Sequence, residues 1–208
     1  MINKIKELAK RFHKDTIDIR RYLHEFPGLS FEEYNAIQVI HNFLTSWNIE
    51  HKPMTPTGIA AVIRGRNAEK KTIALRADID ALPIQEKNKC SYKSSVPGVM
   101  HACGHDAHTA MLLGVARILN LLKDEFEGTI KLIFQPGEEK LPGGASLMIK
   151  HGVLKDVDAI IAQHVYPDLP CGEVGFHAGE YMASCDEINI TVSGKGGHAA
   201  KIKERSNT

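Results

Sequence analysis

No stretch of this 208-residue sequence approaches the roughly 18 consecutive apolar residues that a membrane-spanning helix needs. Residues 1–14 mix Lys, Glu and apolar side chains, so the uninterrupted apolar segment of a secretory signal is missing too. An excess of either charge is absent: 26 Lys and Arg stand against 25 Asp and Glu, a formal net charge of +1. A nucleic-acid partner calls for a basic excess, and the short basic group at 201–205 reads as solvated surface. The four cysteines, Cys90, Cys103, Cys171 and Cys185, form no Cys-x-x-Cys pair. With no secretory segment they read as reduced thiols, and the expected location is the cytoplasm. Internal repeats and low-complexity segments are lacking. These absences predict a chain with neither a nucleic-acid nor a membrane partner.

What is present is ordinary for a globular protein: 43% hydrophobic and 25% charged residues, with a length that suits one domain or one domain and part of another. Apolar residues Ile5, Leu8, Phe12, Ile19 and Leu23 recur at helical spacing between Asn3 and Glu25, and Pro27-Gly28 ends that helix. Ser30 and Glu33 have the spacing of a capping box, predicting a helix from there to Trp47. The runs Ile59 to Arg64, Thr72 to Ala77, Thr129 to Phe134 and Asp158 to His164 read as strands. Asp106 to Leu122 carries a wide apolar stripe and reads as a buried helix, and Gly144 to His151 as a short one. Strands alternating with helices predict an α/β fold in three layers, a mostly parallel sheet flanked by helices.

Polar residues gather where such strands end. Asp78 follows Ile73 to Ala77, Glu138 and Glu139 follow Leu132 to Phe134, and His164 ends Ile160 to Ala162. Ligands of open α/β sheets bind beyond the carboxyl ends of the strands, so these groups are expected to meet at one edge. The densest segment, His101-Ala-Cys-Gly-His-Asp-Ala-His108, precedes the predicted helix. Gly104 allows a sharp turn between Cys103 and His105, so that thiolate and imidazole can face one ion. Sulfur, nitrogen and carboxylate donors suit a transition metal such as zinc. A single histidine here would read as a buried loop residue; three with a cysteine, beside an acidic pair, read as a metal site. Cys103 as a histidine-activated nucleophile leaves Glu138, Glu139 and His164 without a task. A structural zinc site calls for close Cys or His pairs, which the dispersed ligands do not offer. Adjacent carboxylates on an extended segment point to opposite sides, so one can bind metal while the other moves protons.

Four segments occur in order: Leu75-Arg-Ala-Asp-Ile-Asp-Ala-Leu-Pro83, Met100-His-Ala-Cys-Gly-His-Asp-Ala-His-Thr109, Phe134-Gln-Pro-Gly-Glu-Glu139 and Gly194-Lys-Gly-Gly-His-Ala-Ala200. Together they resemble the M20 metallopeptidase family, in its branch of N-acyl-amino-acid amidohydrolases, hippurate hydrolases and auxin-conjugate hydrolases. The resemblance implies a zinc-exopeptidase-like fold and two divalent metal ions, Zn, Mn, Co or Ni. It implies Cys103, His105, Glu139 and His164 as metal ligands, with Cys103 bridging. Glu138 matches the general base and Asp78 a residue supporting a ligand. His198 matches a histidine that holds the substrate, typically across a homodimer interface. The implied reaction is hydrolysis of the amide bond in N-acyl amino acids or similar small amides.

The resemblance also implies a division of the chain into a catalytic metal-binding part, 1–184, and the beginning of a small α+β lid or dimerisation domain, 185–208. The tail after Ala200 resembles nothing in the family, and the family's last histidine ligand lies beyond the segments found here. The expectation is therefore a C-terminally truncated chain with four of five ligands, weak metal retention and little turnover on its own. The alternative is an inactive metal-binding remnant, in which the homodimer built on the lid is incomplete.

Overall fold

The computed structural model describes residues 1–180, 188 and 190–194 of the chain, which divides into two compact units, residues 1–166 and 167–208. The first unit holds four helices, α1 (Ile2–Glu25), α2 (Tyr34–Ser46), α3 (His105–Leu121) and α4 (Gly144–Lys150). Five strands, β1 (Glu50–Thr55), β2 (Gly58–Arg64), β3 (Thr72–Asp78), β4 (Thr129–Gln135) and β5 (Ala159–Ala162), form one sheet in the order β1-β2-β4-β3-β5. In the second unit the described residues include a turn in which the Glu173 N–H donates to the Pro170 carbonyl. Among the described residues no helix is long and apolar enough to cross a membrane.

Alternation along the strands builds the layers. Ile59, Ala61 and Ile63 of β2, Ala77 of β3, and Leu132 and Phe134 of β4 face a core shared with α1, α2 and α3. Their neighbours Ala60, Ala74 and Ile133 face a smaller core that contains Met148 of α4, Met54 and Val153. Leu132 and Phe134 are sealed from solvent, and burying each contributes about 1.5–3 kcal/mol. The expected α/β sandwich of helices around a sheet is present. β3 pairs in parallel with β4 and with β5, while β1–β2 and β2–β4 are antiparallel. The parallel trio is the half that positions the polar residues.

Two local expectations are corrected. β1 was not foreseen; it is an edge strand whose Pro53 breaks no sheet interior, since edges tolerate a residue without an N–H. The capping box does not form. α2 begins at Tyr34, which puts Glu33 rather than Ser30 at the N-cap, with no side-chain cap; the Ser30 hydroxyl donates to Asp80 Oδ2 at 2.7 Å. Glu33 accepts from the backbone of Phe31 and of Gly137. Ser30 thus serves a distant carboxylate, and Glu33 joins a neighbouring turn to a distant one. The domain boundary expected at 184/185 falls on residues outside the described set.

Candidate metal centre

The carboxyl ends of β3, β4 and β5 and the start of α3 converge. β3 ends in Asp78, with Asp80 two residues on. β4 ends in Gln135, and the turn Pro136-Gly137 delivers Glu138 and Glu139. β5 leads to His164. Gly104 caps α3 with φ +86°, and a Cβ there would stand 2.4 Å from Val165 Cγ2. Only glycine accommodates both the left-handed turn and the close approach, which keeps Cys103 and His105 on either side of one bend.

Cys103, His105 and His164 each offer a donor atom within 4.8 Å of the others. So do His105, Glu138 and Glu139, and so do Asp78, His105 and His108. Cys103 Sγ lies 3.3 Å from His164 Nε2, and His105 Nε2 lies 3.8 Å from Glu139 Oε1 and 3.6 Å from Asp78 Oδ2. Of the residues singled out in the sequence, Cys103, His105, Glu138, Glu139, His164 and Asp78 thus come together. His198 lies outside the described residues.

Asp80 and His108 were left without a firm role, and both turn out to be central. Asp80 is buried; its Oδ1 and main-chain oxygen lie 3.2 and 2.9 Å from His105 Nδ1, and the Glu139 N–H donates to Oδ2 at 3.0 Å. It therefore fixes a histidine and the backbone of a glutamate at once. Asp78 Oδ1 lies 2.6 Å from His108 Nδ1, Arg76 donates to Oδ2, and the Val165 N–H donates to His108 Nε2 at 2.9 Å. The spacing of Asp78 and Asp80, two apart at a strand end, was the available signal: it puts both on one side.

The electrostatics are those of a site built for a cation. Burial raises the Asp80 carboxyl, but His105, the Glu139 N–H and Ser30 hold it down at about 2. Burial likewise works against the charge on Asp78, yet His108, Arg76 and His105 keep it below the usual carboxylate range. Cys103 responds oppositely. Burial, a hydrogen bond with Glu139 and the charges of Glu139, Glu138 and Asp78 push its thiol up to about 12. The start of α3 does not by itself stabilise a thiolate among so many carboxylates; a positive ion does. His105 carries the same message. Its Nδ1 is engaged by Asp80, while its Nε2 is buried with no hydrogen-bond partner among the described residues. Burial disfavours its proton, the surrounding aspartates and Glu139 favour one, and its pKa is raised. A divalent ion substitutes for that proton. The sulfur, imidazole and carboxylate set fits a transition metal.

Comparison with known proteins agrees with this geometry. Residues 74–206 match the peptidase family M20/M25/M40. The chain is 47% identical over 192 residues to an N-acetylcysteine deacetylase of Bacillus subtilis, covering 91% of this chain and 50% of that protein. It is 44% identical over 197 residues to an N-acyl-L-amino acid amidohydrolase of Geobacillus stearothermophilus, covering 94% and 53%. The chain thus spans about half the length of these curated relatives. The crystal structure of a dinuclear metal-binding peptidase of the M20 family from Bacillus subtilis superposes with a TM-score of 0.74 at 47% identity, covering 77% of this chain and 45% of that one.

Proposed function

The chain belongs to peptidase family M20/M25/M40, and from that premise we propose that it carries the catalytic centre of a metal-dependent amidohydrolase acting on N-acyl amino acids. The observation that carries the reading is the convergence of Cys103, His105, His164, Glu138 and Glu139 around the unpartnered His105 Nε2. Cys103, His105, Glu139 and His164 would hold two divalent ions, Zn, Mn, Co or Ni. Bound there, the ions supply Lewis acidity toward a water and the scissile carbonyl.

The residues of this chain do the rest. Asp80 orients His105 so that Nε2 points into the cluster. Asp78 orients His108 and braces Arg76 behind it. Glu138 is exposed as a residue, but partial desolvation of its carboxyl, together with the charge of Glu139, raises its pKa. A carboxylate of raised basicity suits a group that takes the proton of the attacking water and returns it to the departing amine. His198 is proposed to donate to the substrate oxygen, and the homodimer and the cytoplasmic location belong to the same proposal.

The test is release of free amino acid from a panel of N-acetyl and N-benzoyl amino acids by the purified chain with added Zn²⁺, Mn²⁺ or Co²⁺. Weak turnover that depends on metal and falls by about 10²–10⁴-fold in Glu138→Gln is the expected result. Stoichiometric metal binding with no turnover on any substrate of the panel would overturn hydrolysis by this chain while keeping the metal centre.

A further inference from the structure

Among the fully buried carboxylates outside the metal cluster that none of the steps above uses is Glu33. Glu33 is 0% exposed and sits at the start of α2. Its Oε1 accepts from the Phe31 N–H at 2.8 Å and from the Gly137 N–H at 2.7 Å. Both donors belong to residues with left-handed backbone: Phe31 has φ +69° and Gly137 has φ +52°. For a phenylalanine that conformation is costly and persists only where surroundings hold it. The two turns also meet directly. A Cβ on Gly137 would stand 2.4 Å from the Phe31 ring, so Phe31 occupies the space that any side chain at 137 would need. Burial raises the pKa of the Glu33 carboxyl, and the buried Thr57 side chain and the backbone donors oppose the rise by hydrogen bonding.

Burying a carboxylate this completely is expensive, and a solvent-facing helix cap would satisfy α2 more cheaply. The neighbour of Gly137 in sequence is Glu138. We propose that Glu33 is a positioning residue: by tying Gly137 to the Phe31 turn through a single oxygen, it sets the backbone from which Glu138 and Glu139 project. The catalytic part of this inference rests on the amidohydrolase reading; the clamp itself does not. It completes a three-point mount for the acidic pair. Asp80 holds the Glu139 N–H from the β3 side. Glu33 holds the Gly137 N–H from the α2 side. The Gly144 N–H donates to the Gly137 carbonyl at 2.9 Å from the α4 side.

Amide hydrogen exchange of the whole chain reads the clamp independently of any activity. In Glu33→Ala the Gly137 amide should exchange at least about ten times faster, while Ile133 in the middle of β4 stays within about two-fold of wild type. Glu33→Gln keeps an oxygen in the same place and should restore most of the protection. Glu33→Asp retains the charge but withdraws the oxygen by one methylene, so it should behave as Glu33→Ala does; it also serves if the alanine variant does not fold. Unchanged exchange at Gly137 in Glu33→Asp, equal acceleration at Gly137 and Ile133, or failure of Gln to restore protection would each overturn the proposal. On N-acetyl amino acids, Glu33→Asp should lower kcat by about 10-fold or more with KM within about two-fold, as a misplaced reacting group does. Turnover unchanged in Glu33→Asp overturns the positioning role. A wild-type chain that hydrolyses nothing sinks the amidohydrolase reading instead, and the exchange result still decides the clamp.

Discussion

Adjacent residues at the start of α3 serve two different buried ionic clusters. His105 faces the metal centre, while Asp106 faces a second cluster built by α1 and the loop after β3. There, Asp106 Oδ2 lies 2.7 Å from His24 Nδ1 and 2.8 Å from Arg20 Nε. His24 Nε2 lies 3.1 Å from Glu86 Oε1, and Glu86 also accepts from the Ser94 N–H and from Asn88. Two carboxylates therefore meet one guanidinium and one imidazole, and the charges balance within the protein. Around His105 they do not: four carboxylates, Asp78, Asp80, Glu138 and Glu139, gather about one guanidinium, Arg76, and the imidazoles of His105 and His108. The same residue types in the same helical turn thus make a closed structural network on one side and an open, cation-seeking cluster on the other. Residue identity alone does not separate the two; the balance of charge does.

Removing a member of each cluster should separate them experimentally, and the largest effect belongs to the closed one. Asp106 is fully buried and pairs with both Arg20 and His24. Asp106→Ala leaves those cations facing only Glu86 and should cost about 3–5 kcal/mol of folding stability, the usual penalty for stripping one partner from a buried ion pair. Urea denaturation of the metal-free chain reads it. In the open cluster the metal-free chain should behave differently. Asp80→Asn removes a carboxylate from a crowd of them, so its stability loss should be smaller than that of Asp106→Ala. Its effect falls on metal affinity, which should drop about 10–100-fold because His105 loses the group that orients it. Titration with Zn²⁺ against a chelator measures this. Equal stability losses for both variants, with no change in metal affinity for Asp80→Asn, would erase the distinction drawn between the clusters.

The comparison also explains which parts of the molecule were legible in the sequence. The core elements were, because apolar periodicity in α1, α3, β2 and β4 follows from what each face buries, and α3 runs from His105 to Leu121 within a residue of the expected bounds. Asp78, Cys103, His105, Glu138, Glu139 and His164 were legible as a set, since strand ends in an α/β sheet share one edge; Asp80 and His108 were not. Nor were the individual tasks. Asp78 and Asp80 are two residues apart and chemically identical, and only the fold shows that Asp80 is the one that engages His105 Nδ1. The closed network was invisible: His24 is separated by 62 residues from Glu86 and by 82 from Asp106, and no local pattern joins them. Glu33 was legible only wrongly, as a local cap, because its true partner at Gly137 is 104 residues away. Edge strand β1 was lost for the opposite reason: its charged and proline-containing sequence shows no alternation to read.

The smallest expected effect is a slope rather than a step, and it sharpens the comparison from the closed side. A hydrogen bond with Asp106 raises the pKa of His24 against the opposing effect of burial, with Glu86 adding to the rise and Arg20 opposing it. Tyr92 and His101 also face it; His101 is held neutral, its pKa driven by burial down to about 4. A histidine whose folded pKa exceeds its unfolded value contributes stability that is complete below the unfolded value of about 6.5 and is lost as pH rises through the folded one. The carboxylates of the same cluster act in the other direction: Asp106 and Glu86 are lowered, so their contribution is present above the ordinary carboxylate range and fades as acid protonates them. The closed cluster should therefore be most stabilising between those limits and should weaken toward alkaline pH. Urea midpoints of the metal-free chain measured upward from pH 6 should fall in wild type. The part of that fall owed to His24 should vanish in His24→Gln, a variant that keeps a hydrogen-bonding side chain but cannot titrate. The open cluster contributes a slope of the same sign through His105, whose pKa is also raised. Saturating Zn²⁺ should suppress that contribution and leave the His24 slope in place, because a metal takes over the task of the proton at His105 and has no such task at His24.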